Sequence, residues 1–263
     1  MRAIPGTLQD GGACFRTTHW SLIADCTLGG RNGLEALAQL CRDYWPPLYS
    51  FVRRRGYSRS DAQDLVQGFF ASFLRSQSYA ETAPNKGKFR SYILMSLKHY
   101  LANEWDREHA RKRGGDYEFV FLEEEMEAAE TLYAAQPSSG VLDEERHYEH
   151  CWANALVKCA LTRLGAEFSD GQKARLFEEL KPFLCGGAGL PSQERIACRL
   201  GIPISTLRSH LSRLRGRYGE LLREEVARTI GRNDDLEEEL RHFRNLLAEC
   251  WEFKQDQKTT ASI

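Results

Sequence analysis

Apolar residues recur at three- and four-residue steps along nearly the whole chain, and no segment alternates strictly between apolar and polar positions. That pattern predicts helices and no sheet. Residues 1–17 are Gly-rich and read as an irregular arm, followed by a short helix near residues 18–23. Residues 34–54 set Leu34, Leu37, Leu40, Cys41, Tyr44, Leu48, Phe51 and Val52 on one face, with a bend expected at Pro46 and Pro47 and a stop at Gly56. Ser60, Asp61, Ala62 and Gln63 read as a capping box for the next helix, whose inward face is Leu65, Val66, Phe69, Phe70, Phe73 and Leu74. Asp61, Asp64 and Gly68 fall on its opposite side, with Gln67 beside them. A longer helix is predicted from Phe89 to about Arg113. Ile93, Leu97, Leu101 and Trp105 line its apolar face, and His99, Asn103, Arg107 and Arg111 a polar, increasingly basic one.

Gly114 and Gly115 close this first module, and the acidic residues 116–141 read as a linker, by default a solvated tether. The helical pattern resumes at Leu142 and runs through Trp152, Leu156, Cys159, Ala160 and Leu164, with a further helix near residues 170–184. Residues 192–201 then predict a short helix capped by Ser192, with Ile196 and Leu200 inward and Ala197 at a close helix crossing. Gly201 stands where a tight turn needs a left-handed backbone, and Pro203 can open the next helix because its missing N–H needs no partner there. Leu207, Leu211 and Leu214 of that helix point inward. Ser205, Thr206, Arg208, Ser209, Ser212 and Arg213 are left outward, a face suited to base edges and phosphates. This is the pattern of a DNA-binding helix-turn-helix. The tail from residue 231 repeats apolar residues at Leu236, Leu240, Phe243, Leu246, Leu247 and Trp251, a helix expected to pack on the C-terminal domain.

Charge sharpens the division. The overall net charge of −1 averages a first block of +7 (residues 1–115), an acidic block of −10 (116–150) and a basic block of +5 (191–232). Two basic blocks either side of an acidic one point to two modules that touch a polyanion. No apolar run is long enough to span a membrane, and no secretory signal pattern opens the chain. Eight cysteines without a C-x-x-C pair suit reduced, mostly buried thiols, and hence a cytoplasmic protein.

The motifs resemble those of the bacterial extracytoplasmic-function sigma factors, the small two-domain members of the sigma-70 family. Asp61-Ala62-Gln63-Asp64-Leu65-Val66-Gln67 is similar to the family's helix that docks on RNA polymerase. Phe89-Arg90-Ser91-Tyr92 through Arg113 is similar to the helix that recognises and melts the −10 promoter element. Residues 192–217 resemble the region 4 domain that reads the −35 element. The resemblance implies an all-α fold of two small helical domains joined by an acidic linker. These are a region 2-like domain at 18–115, a linker at 116–141, a region 4-like, winged-helix-like domain at 142–230 and a helical tail at 231–263. It implies polymerase contacts through Asp61, Asp64 and Gln67, and −10 contacts through Lys98, His99, Asn103, Arg107, Arg111, Lys112 and Arg113. It implies −35 contacts through Ser205, Thr206, Arg208, Ser209, Ser212 and Arg213. The implied partners are core RNA polymerase and promoter DNA, with an anti-sigma or other regulatory protein as a further candidate and no membrane. Gly68-Phe69-Phe70, His99 and His210 depart from the family's usual residues.

No phosphate-binding glycine loop, nucleophile elbow or zinc-protease motif is present, so no enzyme and no cofactor is expected. His147, His150 and Cys151 share a helix face, but without a fourth ligand nearby an ordinary helix surface is the better account. Two other classes stay open. A stand-alone helix-turn-helix regulator would bind its operator without polymerase, and a nuclease with Asp61 and Asp64 as metal ligands would cleave nucleic acid.

Overall fold

The computed structural model describes residues 30–76, 88–110, 123–134, 143–169, 171–185, 190–231 and 234–260. The predicted arm, the 18–23 helix, the basic residues 111–113 and the ends of the acidic stretch lie outside them. Among the described residues every regular element is a helix: α1 (Gly30–Arg54), α2 (Arg59–Ser76), α3 (Phe89–Ala110), α4 (Glu123–Ala134) and α5 (Glu144–Ala166), then α6 (Gly171–Leu180), α7 (Pro182–Cys185), α8 (Gln193–Leu200), α9 (Ile204–Arg228) and α10 (Leu236–Thr260). The fold is all-α, as the periodicity predicts.

Local chemistry sets the ends. Gly56, with φ of 91°, ends α1 in a conformation that costs a glycine little. The cap of α2 lies two residues earlier than the sequence pattern places it: the Asp61 N–H donates to Ser58 Oγ, whose hydroxyl donates in turn to the Asp61 carboxylate at 2.7 Å. Pro46 and Pro47 lie inside α1, which runs through both. Two N–H groups are lost there, and the burial of Tyr44, Trp45, Leu48, Tyr49, Phe51 and Val52 around them outweighs that cost. Asp143 caps α5. Residues 123–134, expected within a solvated tether, form α4, and Ala129 in its middle is fully buried.

Two apolar cores form. The first gathers α1, α2 and α3 through residues such as Trp45, Phe70, Phe89 and Leu97. It also takes in Tyr148, Trp152 and Leu156 of α5, Val226 of α9, and Phe243 and Leu246 of α10. The second joins Ala160 and Leu164 of α5 to Phe177, Ile196, Ala197, Leu207, Leu211, Leu214 and Leu221. Helices α5 and α9 therefore contribute to both, the N-terminal half of α5 facing one core and its C-terminal half the other. The tail helix α10 packs on α5 and α9, as its apolar spacing predicts.

Where α3, α5 and α10 meet, Glu239 is fully buried and forms ion pairs with Arg90 and, at 2.7 Å, with Lys88. Arg90 is itself buried, 4.4 Å over the Trp152 ring and 3.7 Å from Glu149, and its backbone carbonyl accepts from the Tyr148 hydroxyl at 2.9 Å. Truncating one partner strands the other charge in the interior. Glu239→Ala is expected to cost about 3 kcal/mol in urea unfolding, whereas the joint change Arg90→Met with Glu239→Leu should recover most of that loss.

Candidate polymerase and nucleic-acid faces

Helix α2 buries Ala62, Val66, Phe69, Phe70 and Phe73, and that burial fixes what its other side presents. Asp61 and Asp64 are exposed and form a short acidic ridge, with the neutral amide of half-buried Gln67 one turn further on, at i, i+3 and i+6. Behind it, a Cβ at Gly68 would stand 2.4 Å from the Tyr100 hydroxyl. The glycine makes room for the end of the Tyr100 side chain from α3, which gives this departure from the family's usual residues a packing reason.

Helix α3 is held by Phe89, Ile93, Leu94, Leu97 and Leu101 in the first core. On its outer side Met95 (52% exposed), His99 and Asn103 follow one another at steps of four. Met95 is absent from the contact residues expected from the sequence, and its place one turn before His99 is the signal that could have found it. Lys98 is half-buried and ion-paired with Glu145 of α5, its ammonium 5.7 Å over the Phe51 ring. The side chain of Arg107, and Arg111, Lys112 and Arg113 altogether, lie outside the described residues. So does the side chain of Trp105, expected in the core. Arg90, in the same motif, is interior and serves packing.

Helices α8 and α9 are joined by a short turn. The Ser192 hydroxyl accepts from the Arg195 N–H, and Gly201 adopts φ 66°, ψ 32°. Its N–H donates to Cys198 O while that of Ile202 donates to Ala197 O, closing α8. Pro203 is extended and precedes α9 as its cap residue, so the helix opens at Ile204, one position later than the sequence suggests. With Leu207, Leu211 and Leu214 buried, Ser205, Arg208, Ser209, Ser212 and Arg213 are exposed and Thr206 is half-buried. Arg208 is held between Gln193, at 3.3 Å, and Glu194, at 3.6 Å, both on the first turn of α8. The Ser209 hydroxyl donates to its own helix at Ser205 O. His210 turns aside and lines a 220 Å3 cavity with Phe168, Phe177 and Arg213.

The geometry places three separate exposed surfaces on helices whose opposite faces are locked in cores: an acidic ridge, a polar stripe and a serine–arginine face. Residues 40–111 match the family model of sigma-70 region 2. The match spans the second half of α1 and all of α2 and α3, the helices that carry the first two surfaces. It supports a member of the sigma-70 family with a role in transcription initiation, in contact with core RNA polymerase and promoter DNA. No curated protein and no solved structure matches the chain. No helix among the described residues is long and apolar enough to cross a membrane.

The residues considered for a metal have other engagements. His147 Nε2 bonds Ser50 Oγ at 2.7 Å, the Cys151 thiol donates to the same oxygen at 3.0 Å, and His150 Nε2 meets Glu249 at 2.9 Å. Both imidazoles are buried, where the sequence suggests an ordinary helix surface. No group of three or more potential ligands that could hold a metal occurs among the described residues. Cys41, Cys151 and Cys250 are buried, and burial raises the pKa of the Cys151 thiol to about 12.

Burial, with Arg54 and His150 nearby, lowers the pKa of His147 to about 4. Because the folded state holds this imidazole neutral while the unfolded chain takes up a proton near 6.5, stability falls as pH drops through the window from 6.5 to 4. Between about pH 7 and pH 4.5 the wild type should lose about 2 kcal/mol more in urea unfolding than His147→Gln, which cannot titrate.

Proposed function

We propose that this chain is a sigma factor of the extracytoplasmic-function type. It acts only in complex with core RNA polymerase, where that enzyme works, in the cytoplasm. The observation that carries this reading is the region 2 match over helices whose outer faces hold Asp61, Asp64 and Gln67 on α2 and Lys98, His99 and Asn103 on α3.

In this reading the acidic ridge of α2 docks on polymerase, and negative charge in the first turn of the helix is favoured there in any case. The stripe on α3, with Met95 beside His99 and Asn103, meets bases of the opened −10 element, and Arg107, Arg111, Lys112 and Arg113 follow the phosphates. The α8–α9 pair is the region 4 device. Ser205, Thr206, Arg208, Ser209, Ser212 and Arg213 lie against the −35 element, arginines reaching guanine edges or phosphates and short hydroxyls closing the remaining distance. Two such grips on one chain make the second contact nearly intramolecular once the first has formed. The protein performs no covalent chemistry of its own in this role.

Mixing the protein with core polymerase and a promoter library should give discrete run-off transcripts that neither component gives alone. Asp64→Arg reverses an exposed charge on α2 and should weaken capture of core polymerase about tenfold, equivalent to about 1.4 kcal/mol, with the circular dichroism spectrum unchanged. Tight operator binding by the free protein without any polymerase-dependent transcript would instead favour a stand-alone regulator.

A further inference from the structure

Helix α9 carries two neighbouring stripes. The outer one holds residues expected at the −35 element. The next, His210, Arg213, Leu214 and Arg217 at i, i+3, i+4 and i+7, turns toward α6 and the end of α5 and walls a cavity of 220 Å3. Arg213 belongs to both. Opposite stand Phe168 and Phe177, their ring centroids 5.6 Å apart and their planes 20° from parallel, with Leu176 and Leu180 beside them. Phe177, Leu180 and Leu214 are buried, and Phe168 and Leu176 are half-buried. Protein interiors keep few voids larger than a water molecule, and an apolar cavity of about 150 Å3 takes up benzene. This one has room for an aromatic ring and a small substituent, and not for the row of side chains that a partner helix presents.

The rim is cationic. Arg217 forks Glu167 at 2.7 and 3.0 Å and also donates to Glu220, so its charge is met within the chain. Arg213 has no carboxylate partner among the described residues, and its hydrogen bond there is a 3.4 Å donation to Ser209 O of its own helix. His210, one turn earlier, has no hydrogen-bond partner among those residues. A guanidinium presents a planar fork that meets a carboxylate in two parallel hydrogen bonds. Apolar walls with a few convergent polar groups at the mouth are the makeup of a small-ligand site.

We propose that this cavity binds a small aromatic carboxylate, its ring against Phe177 and Leu180 and its carboxylate on Arg213, with His210 beside it. The regulatory consequence rests on reading α9 as the −35 helix. Arg213 cannot serve the ligand and a DNA phosphate at once, so an occupied cavity lowers affinity for DNA. By linkage, DNA lowers affinity for the ligand by the same factor.

The test uses the full chain, fluorine NMR and para-fluorobenzoate as probe, with para-fluorobenzyl alcohol as its neutral counterpart. The acid should bind saturably with a Kd of about 1 mM or tighter, and the alcohol at least about tenfold more weakly. Arg213→Gln should bring the acid down to the level of the alcohol, and Leu176→Trp, which fills the cavity, should abolish binding of both. No saturable binding, equal binding of acid and alcohol, or undiminished binding by a folded Leu176→Trp variant overturns the proposal. Should that variant unfold, the His210 ring resonances of the wild type carry the test: they shift along the titration, and constant resonances overturn it. On a short DNA duplex, saturating para-fluorobenzoate should make the log–log salt slope shallower by about 0.9, one phosphate contact fewer. An unchanged slope overturns the competition for Arg213. A chain that takes the acid but no DNA counts against the reading of α9 and leaves the cavity standing.

Discussion

A guanidinium in a protein interior needs carboxylates beside it, and one of the two that serve Arg90 comes from the far end of the chain. Glu239 of α10 meets Arg90 and Lys88 at the start of α3, while Trp152 and Tyr148 of α5 cover the same arginine. This one cluster ties together the helix matched to region 2, the helix that follows the acidic stretch, and the tail. Removing either charge leaves the other buried with a poorer partner, Glu149 for Arg90 and Lys88 for Glu239, so neither α3 nor α10 can leave the joint cheaply. The orientation of the polar stripe on α3 depends on that anchoring. The side chains expected to meet DNA stand one to three turns beyond it, at Met95, His99 and Asn103.

The same joint explains why the chain does not divide where its composition does. Helix α5 begins after the acidic stretch, yet its first half belongs to the core of α1–α3 and its second half to the core beneath α8 and α9. Helix α9 does the converse, carrying the serine–arginine face near its start and Val226 of the first core near its end. Arg163 of α5 reaches Glu224 at 2.7 Å and pairs with the buried Glu225, which fixes the two long helices to each other. The two candidate nucleic-acid faces are thus joined by shared helices in the free chain. Their separation is a property of packing, and any partner that needs a different spacing must work against the α5–α9 contact.

What is legible in the sequence is what is decided locally. The Leu207, Leu211 and Leu214 stripe, the Ser192 cap, the left-handed Gly201 and the exposed Asp61–Asp64 edge each depend on residues within two turns of one another. Shifts of one or two positions, as at Ser58 and Pro203, arise because several capable residues stand side by side and tertiary fit selects among them. The long-range pairings are not legible as pairs. They do leave a trace, for Arg90 lies in register with Ile93, Leu94 and Leu97, and Glu239 with Leu236, Leu240 and Phe243. A charge on an apolar stripe announces a buried partner without saying where it is. The acidic stretch misleads for a related reason: net charge argues for a tether, whereas α4 is held by Ala129 and Met126 in the first core and by cations that only the fold brings beside it.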